Sequence, residues 1–280
     1  MKRSFKEPRV KDTLASLSVR PSKERGQNFL IDESVIQEIV KFGKPEKGER
    51  LIEIGPGLGA LTKELIKLGD LTVIEIEHQF CATLAAEHPS LKVVQADVRE
   101  VDLTRLKGAG EKWTLFGNLP YSFSTDIVFL LIEHANALKS GVLLLQREFA
   151  ERLAAPPGGR DYGRLSVAVQ LSADLTLGPI IEGTAFHPPT AVQSRLVRLQ
   201  FLEAPRYDIS DRAWFDKVVK GAFSQRRKKL HNSLRSSGFL SRETIDRGLA
   251  AASIDPNRRA ETLSIEDFIS LASCLGPVKE

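Results

Sequence analysis

The chain has 280 residues, 42% hydrophobic and 27% charged, an ordinary globular composition with length for one large and one small domain. Its apolar runs are too short to cross a bilayer, and no early stretch joins a charged start to an apolar segment as a secretory signal would, so a cytoplasmic location is expected. A net charge of +4 does not decide for nucleic acid by itself, and Cys81 and Cys274, far apart and outside any CxxC pair, give only a weak disulfide or zinc reading and are read as buried free thiols.

The first 27 residues carry Lys2, Arg3, Lys6, Arg9, Lys11, Arg20, Lys23 and Arg25 against Glu7, Asp12 and Glu24. Residues 1–21 form a basic N-terminal extension with two readings, an arm for a phosphate backbone or a solvated disordered tail. From residue 49 the pattern alternates. "ERLIEIG" is strand-like, "ALTKELIKLG" helical, "LTVIEIE" a strand, "HQFCATLAAEH" helical, "LKVVQAD" and "WTLFGN" strands, "TDIVFLLIEHANAL" helical and "GVLLLQ" a strand. Such alternation predicts βαβ units and a parallel sheet, covered on both faces because the strands are almost wholly apolar. The larger domain is expected over 22–205. Pro205 and "RYDISD" read as a linker. Over 206–280, "DRAWFDKVVKGAF", "QRRKKLHNSLRS", "SRETIDRGLAAAS" and "SIEDFISLASCL" predict a small helical domain, with Ser241 and Ser264 as N-caps. The second of these segments is expected to be a basic helix bearing Arg226, Arg227, Lys228 and Lys229.

Ligands of open α/β sheets bind beyond the carboxyl ends of the strands. The first strand ends in "EIGPGLGALT", where glycines let a ligand approach the backbone. Gly55, Gly57 and Ala60 also satisfy the dinucleotide pattern, with Glu75 twenty residues after Gly55, so a nicotinamide cofactor is one reading. Glu53 argues for the other. A carboxylate pointing toward the loop repels a pyrophosphate and attracts a cation, and S-adenosylmethionine (SAM) carries an ammonium and a sulfonium. Glu75, ending the second strand, can accept from two ribose hydroxyls. Asp97, ending the third, can accept from an adenine amino group. Glu77 reads as a helix-start charge.

"FGNLPYS", residues 116–122, follows the fourth strand and faces the same crevice. An adenine amine is a poor nucleophile because its lone pair is shared with the ring. The Asn118 amide oxygen and a backbone carbonyl of Leu119 or Pro120 can accept its two protons and leave the lone pair aimed at a methyl group. Pro120 stiffens the turn, and Tyr121 offers a face for stacking worth roughly 1–3 kcal/mol per base. No general base is needed before attack, so catalysis is positioning and charge neutralisation.

"NLPY" resembles the motif of amino-group methyltransferases in the variant used by the ribosomal RNA adenine dimethyltransferases. "GQNFLID", "EIGPGLGALT", "VIEIE", "QADV", "FGNLPYSFST", "QREFAERL", "DYGRLSV", "FHPPTAVQSRLVRL" and "FSQRRKKLHNSL" resemble the small-subunit (16S) branch of that family, the KsgA type, in order and spacing over about 22–272. The resemblance implies a class I, Rossmann-like SAM-dependent methyltransferase sheet with a small C-terminal all-helical domain. It implies dimethylation of two adjacent adenosines in a hairpin loop near the 3′ end of 16S rRNA, with SAM as donor and no metal. The implied partner is the immature small ribosomal subunit, met by a monomer away from membranes. Carried over, Asn28, Leu30, Gly55, Glu75, Asp97 and Asn118 belong to the SAM site, and Phe186 of "FHPP" to an aromatic stacking on the target base opposite Tyr121. Lys23, Arg25, Arg147 and the 226–229 cluster form the implied RNA-binding set. The chain departs from the pattern in Glu77 where Asp is usual, an enlarged "AAPPGGRDYG" loop and a longer N-terminal extension. The related 23S rRNA methyltransferases usually carry Ile where Leu119 stands and lack "FSQRRKKLHNSL", which favours the small subunit. Two further classes compete: an NAD-dependent oxidoreductase, disfavoured by Glu53 and "NLPY", and a non-enzymatic assembly factor.

Overall fold

The computed structural model describes residues 7–17, 28–106 and 112–276, apart from the side chains of residues 7–9 and of Tyr121. In chain order the elements are α1 (Glu7–Ser16), β1 (Phe29–Leu30), α2 (Glu33–Gly43), β2 (Arg50–Ile54), α3 (Thr62–Leu65), β3 (Asp70–Glu75), α4 (His78–Glu87), β4 (Lys92–Gln95), α5 (Leu103–Leu106), β5 (Trp113–Asn118), α6 (Ser124–Glu133), β6 (Leu138–Gln146), α7 (Arg147–Ala154), α8 (Arg164–Ser172), β7 (Ala173–Ile181), β8 (Phe186–His187), β9 (Ser194–Phe201), α9 (Arg212–Ala222), α10 (Leu230–Ser236), α11 (Arg242–Ala251) and α12 (Ile265–Leu275). They fall into two compact units. The first comprises residues 1–150 and 172–203, the second 151–171 and 204–280. The expected boundary at 205 therefore misses one segment: Glu151–Leu171 goes with the second unit, because Ala155, Tyr162, Val167 and Leu171 complete its core.

The first unit is built on a seven-stranded sheet of order β4-β3-β2-β5-β6-β9-β7. β4, β3, β2, β5 and β6 run parallel, so the alternating half of the sequence forms the βαβ units its pattern predicts. The sheet as a whole is mixed, since β9 pairs antiparallel with both β6 and β7. The parallel expectation is corrected to that extent: residues 182–193 return the chain from β7 to β9 without a crossover helix. β2, β5 and β6 are buried almost throughout. α2 begins where the Asp32 carboxylate accepts from Ser34 N at 2.8 Å and turns Val35, Ile36 and Ile39 inward.

The N-terminal extension is corrected as well. Residues 7–16 are helical, and Val10 and Leu14, one turn apart, are 1% and 4% exposed within the same apolar cluster as Leu30, Ile36 and Phe186. Burial of one apolar face holds this helix to the unit, which a solvated tail would not show.

The second unit packs α9, α10, α11 and α12 around Trp214, Phe215, Leu230, Leu249 and Phe268. Ser241 and Ser264 cap their helices, and Ser264 with Asp267 forms a reciprocal capping box. The expected basic helix is not one. α9 ends at Ala222, Lys228 N donates to Gln225 O, and Lys229 is the N-cap of α10. The cations thus occupy the turn before α10, fixed by buried Leu230, whose N–H donates to Arg258 O at 2.7 Å. Cys81 is buried as expected, but Cys274 is exposed, on the outer side of the last turn of α12. Among the described residues no helix is long and apolar enough to cross a membrane.

Candidate active site

The parallel strands deliver their carboxyl ends to one cavity of about 300 Å³. Gly55, Gly57 and Gly59 follow β2 with φ of +66°, +54° and +76°, a left-handed path that side chains adopt at a cost. Asn28, Leu30, Glu53, Gly55, Gly57, Glu75, Asp97, Asn118, Leu119 and Pro120 all line this cavity.

The three carboxyl groups differ in state. Glu53 is 3% exposed, and Oε2 accepts from Thr62 Oγ1 at 2.6 Å. Burial pushes its pKa up to about 8, against the Thr62 hydrogen bond and with a further push from Glu75. The expected anion pointing at the loop is therefore corrected: burial favours the protonated form of Glu53, and the Thr62 hydrogen bond does not offset the loss of water. Glu75 lies at the end of β3, where Oε2 accepts from Gly57 N at 3.1 Å and Oε1 from Glu77 N at 2.9 Å. Burial raises its pKa too, opposed by these backbone N–H groups. Asp97 is the fixed anion. The Arg99 side chain grips it and holds its carboxyl below the usual range, and Asp97 also caps the short turn Val98–Glu100.

At the end of β5, Asn118 Nδ2 donates to Asn28 O at 3.1 Å. That bond fixes which way the amide points and leaves Oδ1 as the acceptor turned from Asn28. Pro120 O accepts from both Ser124 Oγ at 3.1 Å and Phe123 N at 3.2 Å, which fills its two lone pairs. The backbone of Tyr121 opens the short turn Tyr121–Phe123, but its side chain lies outside the described residues.

Phe186 is corrected. It pairs with Leu30 in the two-stranded β1–β8 ladder and is 2% exposed in the apolar cluster of the first unit. At 2% exposure and outside the cavity lining, the ring presents no open face to a base. Further lining residues include Ile76, half exposed, Val98, Arg99 and Phe123. Ile76 and Val98 each follow a strand-end acid, a position that could have marked them in the sequence as the apolar wall beside it.

Of the basic set, Lys23 and Arg25 lie outside the described residues. Arg147 opens α7, exposed, with Nη1 donating to Gln193 Oε1 at 2.9 Å. Arg226 to Lys229 are all exposed. Arg226 donates to Arg160 O and Lys229 to Asn257 Oδ1, whereas the side chains of Arg227 and Lys228 make no hydrogen bond or ion pair with a described residue.

The cavity's chemistry fits a nucleoside-bearing methyl donor. Carboxyl oxygens stand at two adjacent strand ends, an apolar wall lies between them, and an open glycine turn runs alongside, where a Cβ on Gly55 would meet nothing within 4 Å.

Residues 20–276 match the family model described as Ribosomal RNA adenine dimethylase. The chain is 38% identical over 264 residues to the Ribosomal RNA small subunit methyltransferase A of Geobacter metallireducens, covering 92% of this chain and 96% of that protein. It is 41% identical over 260 residues to the protein of the same name from Syntrophotalea carbinolica, covering 92% and 98%. Among solved structures, a dimethyladenosine transferase from Plasmodium falciparum matches with a TM-score of 0.72 at 24% identity, over 87% of this chain and 95% of that one. The 23S rRNA methyltransferase ErmE matches at 0.64 and 24%, over 89% and 99%. Both share the fold. With the family pattern running through both compact units, this chain belongs to the ribosomal RNA adenine dimethylases, a family of methyltransferases.

Proposed function

We propose that this protein transfers methyl groups from SAM to the N6 amines of two adjacent adenosines in a hairpin loop near the 3′ end of 16S rRNA, dimethylating each during assembly of the small subunit. The reading includes a monomer working in the cytoplasm. The observation that carries it is the Asn118–Asn28 hydrogen bond at the cavity wall. It holds an amide with its acceptor oxygen available to a donor in the cavity, next to a turn whose Pro120 carbonyl is already saturated. The Leu119 carbonyl is then the second acceptor. Together they take the two protons of an adenine amine and turn its lone pair outward. The donor supplies a methyl group on a positively charged sulfur, which that lone pair displaces.

Glu75 and Asp97 stand where the ribose hydroxyls and the adenine amine of the donor are to be held. Pro120 keeps the turn rigid, so the acceptors need no rearrangement at the moment of reaction. The proton leaves the alkylated nitrogen after attack. A hairpin loop suits this site because its bases can be extruded at small cost. Arg147 and the 226–229 turn hold phosphates and carry little sequence information. Replacement Asn118→Ala is expected to lower methylation of small-subunit RNA about a hundredfold or more while RNA affinity stays within about twofold. Methylation by that variant at the wild-type rate overturns the assignment.

A further inference from the structure

Asp97 stands on the cavity wall with only 18% of its side chain exposed, and its partner is its own near neighbour. Arg99 Nε lies 3.0 Å from Asp97 Oδ1 and 3.1 Å from Oδ2, Nη2 reaches Oδ2, and Arg99 N donates to Oδ1 at 2.9 Å. The guanidinium also lies over the Phe123 ring, 4.3 Å from its centroid. Arg99 and Phe123 both line the cavity, one just beyond β4 and the other in the turn after "NLPY". A carboxylate has about four acceptor sites. The Arg99 fork and backbone take most of them and leave Oδ2 a direction fixed by the fork. The surroundings of Arg99 are acidic: Glu100 and Asp126 add to the attraction it feels from Asp97. A phosphate of RNA would meet those carboxylates, so Arg99 is placed to serve the donor side of the cavity.

We propose that Arg99 is a positioning residue for the methyl donor: braced against Phe123, its guanidinium fork sets the Asp97 carboxylate in the orientation that receives the donor's adenine amine. The inference rests on the reading that this cavity takes SAM. Arg99 acts through Asp97, and the bracing ring belongs to the segment that follows the target-binding turn. Lysine cannot replace it, since an ammonium has neither the planar fork nor the stacking face.

The test is calorimetric titration of S-adenosylhomocysteine into the full-length wild type, R99A, R99K, F123L and the R99A/F123L double variant, with steady-state methylation of small-subunit RNA alongside. R99A is expected to weaken binding and raise the donor KM about tenfold, leaving kcat at saturating donor and the RNA KM within about twofold. R99K restores less than half of the loss. F123L weakens binding about threefold, and the double variant is no worse than R99A, because the ring acts only through the guanidinium. Unchanged or tighter binding by R99A overturns the inference, as does full rescue by R99K or a loss confined to the RNA KM. Additive losses in the double variant also overturn it. If R99A does not fold, R99K decides alone, and binding at the wild-type level refutes the role. A wild type that neither binds the donor nor methylates RNA defeats the functional reading itself, and this inference with it.

Discussion

Glu53 shows how burial changes what a residue does. A carboxyl with its pKa raised from 4.5 to about 8 binds its proton more tightly in the folded chain than in the unfolded one. Below about pH 4.5 both states are protonated and the group costs nothing. As pH rises from there through about 8, the unfolded chain sheds the proton freely while the fold must either keep it or bury a charge, so stability falls across that window. Replacement Glu53→Gln, which keeps the shape and removes the titration, is expected to match the wild type at pH 5 and to exceed it at pH 9 by on the order of 3 kcal/mol in urea unfolding. Equal stabilities at pH 9 contradict this. The positions of the strand-end acids and of Asn118 were legible, because a glycine turn or an "NLPY" after an apolar run marks a strand end. Their protonation was not, since it depends on depth and on neighbours such as Thr62 and Arg99. Phe186 failed for a related reason: "FHPP" reads alike whether the ring faces a cavity or completes the β1–β8 ladder.

At the scale of elements, the N-terminal helix is the clearest departure. Its charges dominate the eye, yet Val10, Leu14 and Leu17 repeat at helical spacing, and the first two are buried. Leu14→Ala is expected to destabilise the first unit by about 2–4 kcal/mol, read as a lowered thermal midpoint. A solvated arm would give no change. In α12, removing the Ser264 hydroxyl of the capping box should cost about 1 kcal/mol, measured as a lower urea midpoint for Ser264→Ala. That cap was legible because Ser and Asp three residues apart precede an apolar run. The basic turn at 226–229 was harder to read. Its composition tolerates a helix, and long-range bonds, among them Leu230 N to Arg258 O, fix where α10 begins. The antiparallel β9 was equally hidden, because strand direction is set by a distant partner and not by local pattern.

For the whole molecule, the family pattern spans both units, and the proposed chemistry divides between them: the cavity is in the first and the basic turn in the second. The parallel half of the sheet, the cavity and the helical character of residues 212–275 were read from periodicity and strand ends. The assignment of 151–171 to the second unit was not, since only its packing against Phe215 and its neighbours decides it. Neutralising Arg227 and Lys228, the two cations whose side chains have no described partner, with glutamine is expected to weaken RNA binding uniformly and to lower the salt slope by about 1 per charge that meets a phosphate. An unchanged slope takes that turn out of the RNA contact. The central claim is the reaction and its target. Purified protein is incubated with SAM and immature small subunits lacking the modification, and the RNA is digested and sequenced by mass spectrometry. The account predicts N6,N6-dimethyladenosine at two adjacent positions of the hairpin loop near the 3′ end of 16S rRNA; adenosines left unmodified there, or methyl groups found only on 23S rRNA, would contradict it.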